Sequence, residues 1–267
     1  MPDLVTSLLA SGSGGIVGFV LGVVGGGGSI LAVPLLTYVV GVSSPHIAIG
    51  TSALAVSASA AGNLIPQWRA GNVKWRCAVA FSLAGVLGAL AGSAAAKAID
   101  GQKLLALFGL VMLVVGALML PKRSGGGDPD VHLTAETAPR LLPWLLGTGV
   151  AVGLFSGFFG IGGGFLVVPG LILATGMPLT SAIGTSLVAV SAFGTATAAS
   201  YAVSGLIDWP LAGLFILGSV VGGLVGASLG KVLAARKRLL NLIFASLVIA
   251  VGLYIVARGL SALLGWA

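Results

Sequence analysis

Charge is what this chain has least of. Thirteen Lys and Arg and six Asp and Glu are spread over 267 residues, whereas a soluble chain of that length carries roughly a quarter charged residues, about 67. With 57% hydrophobic residues and a mean hydropathy of +1.14, the shortage excludes an ordinary water-soluble globule. A net charge of +7 would suit nucleic acid only if the basic residues clustered on one solvated face. They fall instead between apolar runs, which points to membrane loops. The single cysteine, Cys77, cannot form an internal disulfide and leaves the redox compartment open.

Catalytic groups are equally sparse. The acids Asp3, Asp100, Asp128, Asp130, Glu136 and Asp208 all sit in or beside expected loops, so no carboxylate pair falls within a span. His46 and His132 lie far apart, with no Cys or carboxylate at ligand spacing. Gly25 to Gly28 lacks a following Lys-Ser/Thr, which excludes a P-loop. The reading is not an enzyme, with no metal and no cofactor. Met1-Pro2-Asp3 also lacks the basic start of a secretory signal, so the first apolar stretch is expected to be retained.

Glycine, by contrast, is abundant, at 44 residues scattered among Leu, Val, Ala and Ile, as in packed transmembrane helices. Charge-free intervals run 4–68, 77–96 and 104–121, then 141–207, 209–230 and 239–257, so the second half repeats the rhythm of the first. The residues agree. Gly25-Gly26-Gly27-Gly28-Ser29-Ile30-Leu31-Ala32-Val33-Pro34 aligns with Gly160 to Pro169 at an offset of 135, and Gly50-Thr51-Ser52 with Gly184-Thr185-Ser186 at 134. Gly71, Trp75, Gly88, Gly92 and Lys97 then match Gly205, Trp209, Gly222, Gly226 and Lys231. The domain reading is a first transmembrane repeat (1–121), a polar, flexible linker loop (122–140) and a second repeat (141–267).

A helix crosses the roughly 30 Å hydrocarbon core in about 20 residues, so the four short intervals are one crossing each. In the long ones, Ser44-Pro45 opens a helix expected to end near Ile65 before Pro66. The stretch before it is too long for one upright span and carries a glycine run near its middle, where each Gly costs about 1 kcal/mol against Ala. The chain either continues across that break or turns back as a hairpin. Loop charge discriminates, because cytoplasmic loops are rich in Lys and Arg. If the segment returns, Arg69, Lys74, Arg76, Lys122, Arg123, Arg140, Lys231, Arg236, Lys237 and Arg238 share one side against Lys97, Lys103 and Arg258; if it crosses, the bias vanishes. The loop before Trp75 is basic and its equivalent before Trp209 is not, while the reverse holds after Lys97 and Lys231. The expected fold is an all-α polytopic membrane protein of two inverted repeats, each a Gly-broken helix or hairpin followed by three transmembrane helices. Both termini would be non-cytoplasmic and the linker cytoplasmic.

Polar groups inside a membrane usually mark a pathway. Here they are uncharged: Ser29, Thr51, Ser52, Ser57, Ser59 and Asn63, then Thr185, Ser186, Ser191, Thr195, Thr197 and Ser200. Glycine breaks expose peptide N–H groups at helix ends, which favour anions, and irregular backbone at membrane depth survives only beside protein or a cavity. Two breaks meeting near the midplane would offer amides and four hydroxyls to a small anion. Close helix packing is the other reading of glycine and small hydroxyl residues. Lys97 and Lys231 read as snorkelling anchors or as lures for anions at opposite mouths. An inside-negative potential drives anions outward by about 2.3 kcal/mol per charge per 100 mV, which is compatible with export.

The paired glycine-rich segments ending in Pro34 and Pro169, each followed by Gly-Thr-Ser, resemble the sulfite exporter TauE/SafE family over about 14–120 and 141–257. The resemblance implies a multi-pass carrier in the cell inner (plasma) membrane that moves sulfite, a sulfonate such as sulfoacetate, or another small sulfur-containing or organic anion. Its matching positions are Gly25, Gly27, Gly28, Ser29, Thr51 and Ser52, with Gly160, Gly162, Gly163, Gly164, Thr185 and Ser186. Ile161 departs from the first run, so the half-sites need not be equal. The partners expected are a small anionic substrate and the lipid bilayer, not nucleic acid, and assembly is left open. A passive anion channel and a non-transporting scaffold subunit are the alternatives.

Overall fold

The computed structural model describes residues 3–24, 26–119, 133–134, 136–162, 164–233 and 237–263, and all regular structure among them is helical. Helix α1 (Leu4–Val24) is followed by a composite segment: a tight 3-10 turn (Gly26–Leu31), one α turn, α2 (Ala32–Pro34), and a wide π turn (Leu35–Val39). Then come α3 (Pro45–Arg69), α4 (Trp75–Lys97) and α5 (Gly101–Met119). The second half repeats the order with α6 (Ala138–Phe159), α7 (Gly164–Thr175), α8 (Leu179–Val203), α9 (Trp209–Leu233) and α10 (Lys237–Leu263). Six stretches, within α1, α3, α4, α6, α8 and α9, are long and apolar enough to cross a membrane.

The glycine break is a hairpin in both halves. Gly28 packs on the backbone of Val20 and Leu21, which a continuing helix would place about 10 Å away. A Cβ on Gly170 would lie 3.1 Å from Val152, eighteen residues back and about 27 Å distant along a straight helix. The returning segments, Gly28–Val39 and Gly164–Thr175, are each about 18 Å long at 1.5 Å per residue, a little over half of the hydrocarbon core.

Two helix boundaries differ from the sequence expectation. Helix α3 runs through Pro66 to Arg69, because a proline in the last turn forfeits a single backbone hydrogen bond. Helix α6 starts at Ala138, inside the expected linker, with the Ala138 N–H donating to Thr134 O at 2.9 Å. Linker residues 122–132 and 135 lie outside the described residues.

Close helix contacts set the directions. α1 lies along α9, with Gly14 against Phe215 and Gly18 against Ser219; α6 lies along α4, with Gly153 against Gly85 and Gly157 against Ala89. Residue numbers rise together in both pairs, so each is parallel. They also rise together between α3 and α9, where Thr51 meets Asp208 and Ser59 meets Ser219, and between α4 and α8, where Lys74 meets Thr185 and Lys97 meets Ser204. They oppose between α3 and α8, where Gly50 meets Tyr201 and Gly194 meets Ala53 and Ser57, and Gly184 meets Asn72 in the turn just after α3. Helices α1, α3 and α9 therefore run one way, and α4, α6 and α8 the other. Helices α5 and α10 pair antiparallel, Gly109 against Ile255 and Gly116 against Ile249.

Three of the described carboxylates serve helix starts. Asp3 Oδ1 accepts the Thr6 N–H at 3.0 Å, Asp100 Oδ1 the Gln102 N–H at 3.0 Å, and Asp208 Oδ1 the Leu211 N–H at 3.1 Å. Each satisfies a donor that a helix end leaves unpaired.

Candidate functional site

The two hairpin tips approach each other. The turn Gly26–Leu31 packs on α7, and Gly162 sits between Val56 and Val190, where an added Cβ would lie 3.0 and 3.2 Å from their methyl groups. Val56 and Val190 are equivalent at the 134-residue offset, both buried, and midway along α3 and α8. The chain turns with left-handed backbone at Gly160 (φ +65°) and Gly162 (φ +61°), a conformation glycine adopts without a Cβ penalty. Both short helical segments begin at the tip and run away from it. Their first-turn N–H groups carry the positive end of each segment's dipole.

Around the tips, Gly28, Ser29 and Gly164 are buried. Ser52 Oγ lies 2.9 Å from Ile49 O and 3.0 Å from Gly160 O, so its one proton is shared between its own helix and the opposite half's break. Ser186 Oγ donates to Ile183 O at 2.8 Å. Gly27 falls in the 3-10 turn, while Gly25 and Gly163 lie outside the described residues.

The remaining site candidates stand elsewhere. Thr51 Oγ1 accepts the Asp208 N–H at 3.1 Å and Thr185 Oγ1 accepts the Lys74 N–H at 3.0 Å. These two hydroxyl oxygens are engaged by turns at the helix ends. Asn63 is eleven residues past Ser52 on α3, about 16 Å away; its Nδ2 donates to Ser59 O at 3.0 Å and its amide faces Gly223. Ser59 Oγ and Ser219 Oγ are hydrogen-bonded between α3 and α9. At the equivalent place in the other half, the Phe193 ring fills the space over Gly85 and stacks on Phe81 with centroids 5.9 Å apart. Ser219 entered no sequence reading; its only signal is that Ser59 and Phe193 fall at equivalent positions yet differ.

Lys97 has a specific partner set. Its Nζ donates to Ser200 O at 3.1 Å, Ser200 Oγ at 3.1 Å and Ser204 Oγ at 2.9 Å, and lies 5.7 Å from the centre of the Tyr201 ring. Ser93 Oγ donates to Ser200 Oγ at 2.9 Å. A cation over the last carbonyls of α8 complements that helix's dipole, a contribution of about 1 kcal/mol at a part-exposed position. Lys97→Met is therefore expected to lower the melting temperature by a few degrees while leaving the substrate KM unchanged. A thermal melt paired with a flux titration measures both. Among the described residues no three His, Cys, Asp or Glu side chains are grouped to hold a metal ion.

The family model for the sulfite exporter TauE/SafE matches residues 10–255. A "Probable membrane transporter protein" of Xylella fastidiosa (strain 9a5c) is 52% identical over 256 residues, covering 96% of this chain and 97% of that protein. The "Probable membrane transporter protein YunE" of Bacillus subtilis (strain 168) is 24% identical, covering 92% of this chain and 95% of the relative. No solved structure matches the chain.

Proposed function

The chain belongs to the sulfite exporter TauE/SafE family of membrane transporters, and from that premise we propose that it is a secondary carrier exporting a small anion of the sulfite or sulfonate class. The observation that carries the reading is the packing of the first break's turn, Gly26–Leu31, on the half-length α7, whose own break sets Gly162 between Val56 and Val190. Two N-terminal dipole ends brought near one buried place would favour a negative charge there without any cationic side chain. Each charge-assisted hydrogen bond contributes about 1.5–3 kcal/mol, and stripping water from an anion costs several kcal/mol. The net is weak binding, in the micromolar to millimolar range, which suits a carrier that must release its cargo.

The opposed directions of equivalent helices support two inverted repeats, 1–121 and 141–267, exchanging access across a buried site. The same directions support a reading in which both termini lie on one side of the bilayer and the 122–140 linker on the other. With ten basic residues on the linker side against three, the termini face the non-cytoplasmic side of the inner membrane. A C-terminal reporter active only outside the cytoplasm and a cytoplasm-only reporter placed in the linker should both be active; silence from both refutes the orientation.

Flux from proteoliposomes, tested with sulfite, sulfoacetate, thiosulfate, sulfate and carboxylates, should saturate and show counter-exchange with one of the sulfur oxyanions. Unsaturated flux with single-channel currents would identify a passive pore instead. Absence of flux for every anion would leave a scaffold.

A further inference from the structure

The Gly-Thr-Ser triplet divides its work. Gly50 lets the backbone of Leu206 come close, Thr51 accepts the Asp208 N–H, and Ser52 reaches the Gly160 carbonyl at the break. Two adjacent α3 side chains thus touch both the α8–α9 turn at one end of the molecule and the hairpin tip at its centre. The second copy mirrors the outer part: Gly184 admits the Asn72 backbone and Thr185 accepts the Lys74 N–H of the α3–α4 turn. Both turns contain a left-handed glycine with open space around it, Gly71 (φ +72°) and Gly205 (φ +69°). Because α3 and α8 are antiparallel, the two threonine bonds lie at opposite ends of that pair. Each joins one half of the molecule to the other.

We propose that Thr51 and Thr185 are reciprocal latches, one at each membrane face, and that the carrier opens toward a face by breaking the latch at that face alone. This rests on the alternating carrier reading above. Each latch fixes the start of the helix after its turn, α9 or α4, through one backbone N–H. Releasing it frees that helix end to swing about the glycine in the turn. The latch at the opposite end holds the other half of the α3–α8 pair closed. Ser52, beside Thr51 and bonded to the tip, lets occupation of the tip influence the latch.

The native cysteine supplies a reporter. Cys77 is 1% exposed, in the first turn of α4, three residues past Lys74. Its repeat equivalent is Leu211, 6% exposed in the first turn of α9. Labelling of the full chain in nanodiscs with a maleimide, without substrate, reads each face separately. Losing a hydrogen bond of ordinary strength corresponds to about a 3- to 10-fold change in an opening equilibrium. Thr185→Val should accelerate Cys77 labelling by that factor and Thr51→Val should not. In a Cys77→Ser, Leu211→Cys background the two variants should exchange roles. Thr51→Ser and Thr185→Ser retain the acceptor oxygen and should label at the parent rate. Equal acceleration at both reporters, none at either, or Ser variants behaving like Val would overturn the proposal. Since no anion is added, failure of the flux panel and failure of the latches are separate results.

Discussion

Gly160→Ala is expected to reduce anion flux at least tenfold while the protein still reaches the membrane. Gly160 has φ +65°, where an L side chain costs roughly 1–2 kcal/mol. Its methyl would be driven into the Ile49 side chain and lie 2.8 Å from Ile49 O, adding overpacking of about 1–3 kcal/mol. The strain falls on the break itself, and relief requires moving either α3 or the carbonyl that Ser52 reaches. Gly176→Ala is the matching control: its φ is +71° but an added Cβ meets nothing within 4 Å. Flux through that variant should stay within about threefold of the parent, since it carries the backbone cost alone. Initial efflux rates from proteoliposomes at equal protein incorporation compare the two. Similar rates for both variants would show that the tip geometry does not govern transport.

Gly157→Val is expected to prevent stable assembly. A Cβ there would run into the Ala89 carbonyl, and Gly153 stands in the same relation to Gly85. Here the obstacle is main chain, so no rotamer change on α4 relieves it. Helices in lipid gain nothing from excluding water from one another; they associate through close packing. Pushing α6 off α4 therefore removes the contact that holds them, at about 3 kcal/mol or more. Gly147→Val, on the same helix with nothing within 4 Å of an added Cβ, should be nearly neutral. Yield of monodisperse protein and melting temperature after mild solubilisation separate these outcomes; a stable Gly157→Val variant would refute the packing account.

The broad plan was legible because it is written in local quantities. Spacing of charge gave the duplicated rhythm, and the unequal distribution of Lys and Arg favoured a returning segment over a crossing one; Gly28 on Leu21 and Gly170 near Val152 show that return. The partners of individual polar groups were not legible, because they are fixed by helices distant in sequence. Thr51 stands beside Ser52, yet one oxygen engages residue 208 and the other reaches residue 160. Nothing in residues 50–52 alone distinguishes these fates. Lys97 shows the same limit: its position at a helix end was visible, but its three acceptors come from α8 and the turn after it. Pro66 misled for a different reason: a proline costs one N–H bond and crowds the carbonyl four residues before it, which can kink a helix without ending it, and α3 runs on to Arg69.

The unlike fillings of the two equivalent interfaces, paired hydroxyls at Ser59 and Ser219 and an aromatic ring over Gly85, bear on how the transporter idles. Identical copies would make the empty inward- and outward-facing forms mirror images of equal free energy, each occupied half the time. Divergence here removes that degeneracy, and every 1.4 kcal/mol of difference favours one form tenfold. On the alternating-carrier reading proposed above, an unloaded protein would wait with its door predominantly on one side, and the apparent affinity measured from each compartment would differ by that same occupancy ratio.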